Sequence, residues 1–173
     1  MKEKWLSDSR EVWSEWISGD DLTAFQPYAH VYGICFTSDG QVVVIKDRKK
    51  WTLPGGRPEA GETAEETLRR EADEEASLEL GTCKLIGAFE VYFPGNPDKN
   101  QGERFYQLRY AAVIKEIKEL TEDPDKGRSW QRKVIPVEEF SDYVQWGEHG
   151  KKMFREAHTW FSERERMTTS EKI

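Results

Sequence analysis

Hydrophobic residues near the N-terminus recur at the spacing of an amphipathic helix. They are Val12, Trp13, Trp16 and Ile17. Asp8 is a plausible cap before this segment, and the Gly-Asp-Asp that starts at Gly19 is typical of a helix stop. We therefore expect residues 1–27 to form a helical extension. Its tryptophans need a partner, either the core of this chain or a second subunit, so a homodimer is one expectation.

Further along the chain, β-branched and aromatic runs are typical of strands. Residues 30–36 and 41–46 flank a Ser-Asp-Gly turn and predict a hairpin. Residues 83–93 and 105–115 predict two long strands joined by a polar loop. An apolar stripe predicts a core-facing helix near the C-terminus, formed by Met153, Phe154, Ala157, Trp160 and Phe161. Strands interleaved with helices imply an α/β fold with a mixed sheet covered by helices.

The helix between these strands begins at a clear signal. Thr63 and Glu66 form a T-x-x-E capping box, which predicts the first turn. At about 100° per residue, Ala64, Leu68 and Ala72 define the side that faces the core.

Three carboxylates share or border that core-facing side. Glu71 and Glu75 project within about 20° of Ala64, and Glu74 lies at the edge. Burying unpaired carboxylates costs on the order of several kcal/mol, so packing alone does not explain them. Mg²⁺ or Mn²⁺ would resolve the conflict because both prefer oxygen ligands, and Arg70 can orient a carboxylate. The alternative is a surface helix rich in glutamate for solubility, which would place its acids outward.

A loop rich in glycine and proline leads into this helix. Pro54, Gly55, Gly56, Pro58 and Gly61 force the backbone through tight turns without bulky side chains. Such a loop can present a carbonyl to a metal or N–H groups to a phosphate.

The loop and helix together resemble a known signature. Residues 56–78, GRPEAGETAEETLRREADEEASL, are similar to the Nudix hydrolase pattern G-x5-E-x7-R-E-U-x-E-E-x-G-U, in which U is apolar. The matching positions are Gly56, Glu62, Arg70, Glu71, Glu74, Glu75 and Leu78. Ser77 replaces the usual glycine. The helix therefore either ends at a left-handed Ser77, at about 1 kcal/mol, or runs on towards Gly81.

The resemblance implies a three-layer α/β/α sandwich with a mixed sheet, a Nudix domain at residues 28–165 and a tail at residues 166–173. It implies two or three Mg²⁺ or Mn²⁺ ions, with metal ligands at Glu71, Glu74, Glu75 and the Gly56 carbonyl. The same three glutamates and Arg70 would be the catalytic residues, while Glu62 and Gly55 would support the site. The general base would be Glu71 or a loop acid, for which the candidates are Glu119, Glu122 and Glu148.

The charge balance narrows the partners. With 26 Lys and Arg against 33 Asp and Glu, the net charge is −7, which argues against binding to a nucleic acid polymer. A local basic cluster suits a compact polyphosphate; it comprises Lys46, Arg48, Lys49, Lys50 and Arg57, of which Lys49, Lys50 and Arg57 are the phosphate-binding candidates. No apolar run approaches roughly 20 residues and no signal-peptide core is present, so we expect a cytoplasmic protein without membrane contact.

Substrate is the least determined property. The position of Pro94 resembles that in ADP-ribose-cleaving members and favours a linked nucleoside diphosphate slightly over a nucleoside triphosphate. An enzyme that removes oxidised nucleotides of the 8-oxo-dGTP type is an alternative, as is a non-catalytic nucleotide sensor; a metal-dependent isomerase is less favoured. Aromatic candidates for base stacking are Tyr92, Phe93, Phe105, Tyr106 and Trp130. His30, His149 and His158 have no paired metal spacing and receive no role.

Overall fold

The computed structural model describes residues 2–7, 10–93, 103–121 and 130–172. Its strands are β1 (Glu3–Ser7), β2 (Arg10–Ser18), β3 (Tyr28–Phe36), β4 (Val42–Asp47), β5 (Lys50–Thr52), β6 (Gly55–Gly56), β7 (Leu78–Phe93), β8 (Glu103–Ile117) and β9 (Gln131–Ile135). Its α-helices are α1 (Ala64–Ala76), α2 (Phe140–Tyr143) and α3 (Gly147–Ser170). Two short 3-10 helices span Leu22–Ala24 and Val137–Glu139.

All nine described strands join one mixed sheet. The main path runs β1-β2-β7-β8-β3-β4-β5, while β6 pairs with β3 and β9 pairs with β4. Strands β3 and β8 are parallel, and the other pairs are antiparallel. The predicted hairpin is confirmed, since β3 and β4 pair through Phe36 and Val42 around the expected turn.

Apolar residues fill both faces of the sheet, as alternation along a buried strand requires. In β4, Val43 and Ile45 join the core beneath α1, whereas Val42 and Val44 join the core beneath α3. Three residues of the predicted C-terminal stripe are buried in that second core, namely Met153, Ala157 and Phe161. The fold is therefore the expected α/β/α sandwich.

The N-terminal segment corrects one prediction. Residues 10–18 form strand β2 rather than a helix, and they pair antiparallel with β7. Val12 and Trp16 face the α3 side of the sheet, while Ile17 packs against the α1 side. Residues four apart fall on one face of a strand as well as of a helix, so the spacing that indicated a helix fits both periods. The tryptophan finds its partner in this chain, because the Trp16 ring lies 5.4 Å from that of Phe89.

Other boundaries follow the sequence more closely. Both long strands are confirmed, although β7 begins at Leu78 and β8 continues to Ile117. Helix α3 continues to Ser170, so part of the segment assigned as a tail is helical. Most of the polar loop between β7 and β8, together with Pro94, lies outside the described residues. In the described part of the chain, no helix has the length and apolarity needed to span a bilayer.

Candidate active site

Helix α1 begins where the sequence predicts. The Thr63 hydroxyl accepts a hydrogen bond from the Glu66 N–H at 3.2 Å, and the Glu66 carboxylate accepts one from the Thr63 N–H at 2.8 Å. This reciprocal pair satisfies two N–H groups that the helix cannot satisfy internally, and it fixes the phase of every later side chain.

The helix ends at Ser77, so the alternative extension towards Gly81 is wrong. Ser77 adopts φ 51° and ψ 46°, the left-handed conformation usual for glycine, and Gly81 belongs to β7. The serine side chain has a use that glycine lacks. Its hydroxyl oxygen accepts a hydrogen bond from the Thr121 N–H at 3.2 Å and so ties the segment after β8 to the end of α1.

The three carboxylates lie where the helical phase places them. Glu71 is 3% exposed and Glu75 is 5% exposed, although both are charged residues on a helix. Glu74 lies at the edge of the buried side, with a side-chain exposure of 19%. A helix that carried glutamates only for solubility would expose all three, so the burial of Glu71 and Glu75 does not fit that alternative.

Arg70 binds two of these acids and orients them. Its Nη1 donates to Glu71 at 3.0 Å and to Glu74 at 3.2 Å. Its Nε and Nη2 grip Glu62 in a bidentate pair at 2.6 and 3.1 Å, and Nη2 also donates to the Arg57 carbonyl at 3.0 Å. One planar guanidinium thus ties the loop to the helix, which a lysine cannot reproduce.

Glu62 also holds the loop in place through further hydrogen bonds to its carboxylate. Besides Arg70, its carboxylate accepts hydrogen bonds from the Glu59 N–H and the Thr67 hydroxyl, both at 2.9 Å. The bonds from Arg70, Glu59 and Thr67 all favour the charged form, and they lower the pKa of Glu62 from 4.5 to about 2.

The glycine loop lies directly against the acidic cluster. The Gly55 N–H donates to the Glu75 carboxylate at 3.1 Å. A Cβ atom on Gly56 would lie 2.2 Å from Oε1 of Glu71, so no other residue fits there while Glu71 keeps its position. The loop also pairs with β3, where Gly56 is opposite Val31 and Gly55 is opposite Tyr32. The backbone of β6 is thereby held beside the carboxylates.

The donor set suits a hard cation, although the side chains are not arranged as a closed cage. Within the described residues, no three His, Cys, Asp or Glu side chains converge closely enough to hold a metal as they stand. Glu71 and Glu74 instead bind Arg70, and Glu75 binds Gly55. Carboxylates and a glycine-loop backbone are nevertheless the oxygen donors that Mg²⁺ and Mn²⁺ prefer.

The phosphate-binding candidates are only partly brought together. Arg57 is exposed beside the site, where its Nε donates to Nε2 of His30 at 3.3 Å. Lys50 lines the cleft described below, while Lys49 is exposed in the turn after β4. Lys46 lies over the Trp51 ring, 5.8 Å from its centre. Arg57 and Lys50 are therefore the candidates that the structure places closest to the site's loop and cleft.

The loop acids proposed as general bases have different surroundings. Glu119 is exposed, and Glu148 pairs with Lys151 at 2.7 Å at the start of α3. Glu122 lies outside the described residues. These contacts do not test the role of the loop acids, so the general base stays open between Glu71 and a loop acid.

The aromatic candidates do not form one platform. Phe93 and Phe105 stack on each other at 5.9 Å, Trp130 is buried in the core beneath α1, and Tyr106 contacts Phe25. Tyr92 carries the Arg104 guanidinium over its ring at 5.7 Å.

A cleft of about 390 Å³ contains residues that the sequence did not single out. We call it the Arg109 cleft; six of the residues that line it are Tyr32, Lys50, Phe89, Gln107, Arg109 and Trp146. The only local signal was Arg109 itself, a charged residue within an apolar strand run. The spacing of the histidines assigns His30 no role, although its ring stacks on Tyr32 at 6.1 Å and accepts the bond from Arg57.

The chain is similar to one protein family and to several solved structures. The family model for the NUDIX domain matches residues 27–157. A mutant of the Bacillus subtilis pyrophosphohydrolase BsRppH has a similar structure, with a TM-score of 0.56, 18% identity and coverage of 77% of each chain. A NUDIX hydrolase from Nitrosomonas europaea gives a TM-score of 0.58 at 14% identity, over 78% of this chain and 90% of that one. A search of curated proteins finds no match.

Proposed function

Because the chain belongs to the NUDIX domain family, the family of the Nudix hydrolases, we propose that it hydrolyses a phosphoanhydride bond in a small nucleotide with the help of Mg²⁺ or Mn²⁺. The supporting observation is that Glu71 and Glu75 are buried directly against the glycine loop, while Glu74 lies beside them at the edge of the same helix face. Buried carboxylates on a helix face beside a tight backbone loop are an arrangement that a cation explains and that packing does not.

Each residue has a distinct part in this proposal. Glu71, Glu74, Glu75 and the Gly56 carbonyl would hold two or three ions. When bound, Mg²⁺ or Mn²⁺ would activate water and offset the charge that develops on the phosphate oxygens. Glu71 would accept the proton of the attacking water if no loop acid does so.

The surrounding residues position the reacting groups. Arg70 orients Glu71 and Glu74, and it is itself fixed by Glu62. The Gly55 N–H orients Glu75. Arg57 and Lys50, with Lys49 further out, would bind substrate phosphates. Since these cations would contact phosphates before and during reaction, they contribute to binding more than to the chemical step.

The substrate we propose is a nucleoside diphosphate linked to a second group, or a nucleoside triphosphate. The net charge of −7 argues against a long nucleic acid, while the short basic segment suits two or three phosphates. A non-catalytic sensor of the same fold is less favoured because all the signature carboxylates are present.

The test is a turnover screen with Mg²⁺ and with Mn²⁺ that measures released phosphate and pyrophosphate separately. The panel contains ADP-ribose-like diphosphates, nucleoside triphosphates, an oxidised triphosphate, a phosphate monoester and a long 5′-triphosphorylated RNA. We expect turnover of a small diphosphate or triphosphate and none of the monoester or the RNA. Activity on the RNA alone would contradict the proposal, as would inactivity on the whole panel.

A further inference from the structure

Arg109 is a buried cation on β8, on the side of the sheet that α3 covers. Arg109 is only 3% exposed and lies at the floor of the Arg109 cleft. Three aromatic rings surround the guanidinium, with ring centres 4.5 Å (Tyr32), 5.0 Å (Phe89) and 4.7 Å (Trp146) from Cζ. Cation–π contacts from three sides hold the group in place without consuming its N–H donors.

The hydrogen bonds of Arg109 do not exhaust those donors. Nη1 donates to the carbonyls of Gln107 and Leu108 at 3.2 and 3.1 Å, and Nη2 donates to Oε1 of Gln107 at 3.3 Å. Nε is buried and has no hydrogen-bond partner among the described residues. No carboxylate in the described part of the chain neutralises the charge. A buried charge without a counter-ion is costly, so its presence needs a reason other than packing.

The cation persists at neutral pH despite burial. Desolvation lowers the pKa of Arg109 to about 10, which still leaves the guanidinium protonated at pH 7. The cleft therefore carries a permanent donor on its floor.

The neighbouring polar groups of the cleft also donate. Since arginine has no acceptor, the Gln107 atom that faces it is the oxygen, and the amide NH₂ is left for the cleft. Lys50 adds an ammonium group. The acid of the cleft, Glu3, is already engaged at the start of α3, where it accepts the N–H groups of Glu148 and His149 at 2.9 and 3.4 Å. A ligand in this cleft thus meets donors between aromatic walls.

We propose that the Arg109 cleft binds the nucleobase of the substrate and selects a base with ring carbonyl acceptors, a 6-oxopurine, over a 6-aminopurine. The inference rests on the proposed function in taking the substrate to be a nucleotide. Aromatic walls suit a planar ring, and Arg109 with Gln107 offers hydrogen bonds that a carbonyl accepts and an amino group cannot.

The position of the cleft is consistent with this role. Tyr32, which stacks on Arg109, pairs with Gly55, whose N–H binds Glu75. One residue therefore separates the cleft floor from the catalytic loop. The charges of Glu71 and Glu75 act on the Tyr32 side chain, so these carboxylates lie near that wall of the cleft.

The test is calorimetric binding of inosine and adenosine monophosphates to the full-length protein in chelator, which requires no catalysis. At position 6 of the purine ring, the inosine nucleotide has a carbonyl acceptor and the adenosine nucleotide has an amino donor. We expect the wild type to bind the inosine nucleotide roughly tenfold more tightly. Gln107→Glu keeps the shape but replaces the donor with a carboxylate that pairs with Arg109, so the ratio should fall to about one. Arg109→Lys should reduce the ratio as well.

Two control variants separate recognition from general effects. Arg132→Lys alters another arginine that donates to backbone carbonyls, at 2.6 Å to Ala76 and 2.9 Å to Lys118, and should leave the ratio unchanged. Gln145→Glu adds the same charge as Gln107→Glu to the lining of the same cleft. It should weaken both nucleotides alike.

The outcomes distinguish this inference from the proposed function. Equal binding of the two nucleotides by the wild type, or no binding of either, would overturn the inference. The inference would also fail if Gln145→Glu lowered the ratio of the two affinities as much as Gln107→Glu does, or if inorganic phosphate competed completely with both nucleotides. Selective binding of the inosine nucleotide by a protein that hydrolyses nothing would support base recognition and refute the hydrolase.

Discussion

Replacing Glu62 with glutamine tests how much its ion pair with Arg70 stabilises the fold. The carboxylate accepts two hydrogen bonds from that guanidinium, at 2.6 and 3.1 Å, and its pKa is lowered to about 2. A shift from 4.5 to about 2 corresponds at most to about 3.4 kcal/mol of unfolding free energy, which solvent screening reduces to about 2 kcal/mol. For a chain of this size, Glu62→Gln should lower the melting temperature by roughly 4–8 °C at pH 7.

The pH dependence of that difference is the sharper result. Because folding lowers the pKa of Glu62, its contribution is complete above pH 4.5 and is lost as the pH falls towards 2. Urea unfolding of the wild type and of Glu62→Gln is measured between pH 7 and pH 3, in chelator. The difference in unfolding free energy between the two proteins should decrease as the pH falls. Glu59→Gln is the control, since that side chain is 66% exposed and 3.8 Å from Arg70. A gap of constant size from pH 7 to pH 3 would refute the reasoning.

Three further predictions concern the same site. Saturating Mg²⁺, at about 100 times its Kd, should stabilise the wild type by about 2.7 kcal/mol in thermal unfolding. The double variant Glu71→Gln, Glu75→Gln should lose that stabilisation. An unchanged stabilisation would show that the metal binds elsewhere. Ser77→Ala should destabilise the fold by about 1 kcal/mol in urea, because it keeps the left-handed strain and loses the hydroxyl acceptor; Ser77→Gly, which also relieves the strain, should lie closer to the wild type. Neutralising Lys50 and Arg57 should raise KM more than it lowers kcat, and the reverse pattern would contradict their role in binding phosphate.

Much of helix α1 could be predicted from the sequence because its determinants are local. The capping box fixes residue Thr63 as the start, and the helical period then determines that Glu71 and Glu75 point inward. The N-terminal strand could not be predicted in the same way. Val12 and Trp16 suit either period, and the choice depends on pairing with β7, which lies more than 70 residues further along the chain.

The candidate site shows the same division between local and distant determinants. The contacts among Arg70, Glu62 and the loop occur within one short segment, and its pattern indicates them. The Arg109 cleft instead assembles Tyr32, Phe89 and Trp146 from three separate elements. Nothing in the local pattern around Trp146 relates it to β8, so this part of the site required the tertiary structure.

The most direct test of metal-dependent hydrolysis is the turnover number on the best small nucleotide as Mg²⁺ is titrated, for the wild type, Glu74→Gln and Glu75→Gln. Glu65→Gln is the matched control, because that acid lies on the same helix but pairs with Arg69 at 2.7 Å, away from the loop. The account predicts no turnover in excess chelator, a decrease on the order of 100-fold for each of the two site variants, and near wild-type turnover for the control. Full turnover in chelator, or unimpaired turnover when both Glu74 and Glu75 are glutamine, would contradict it.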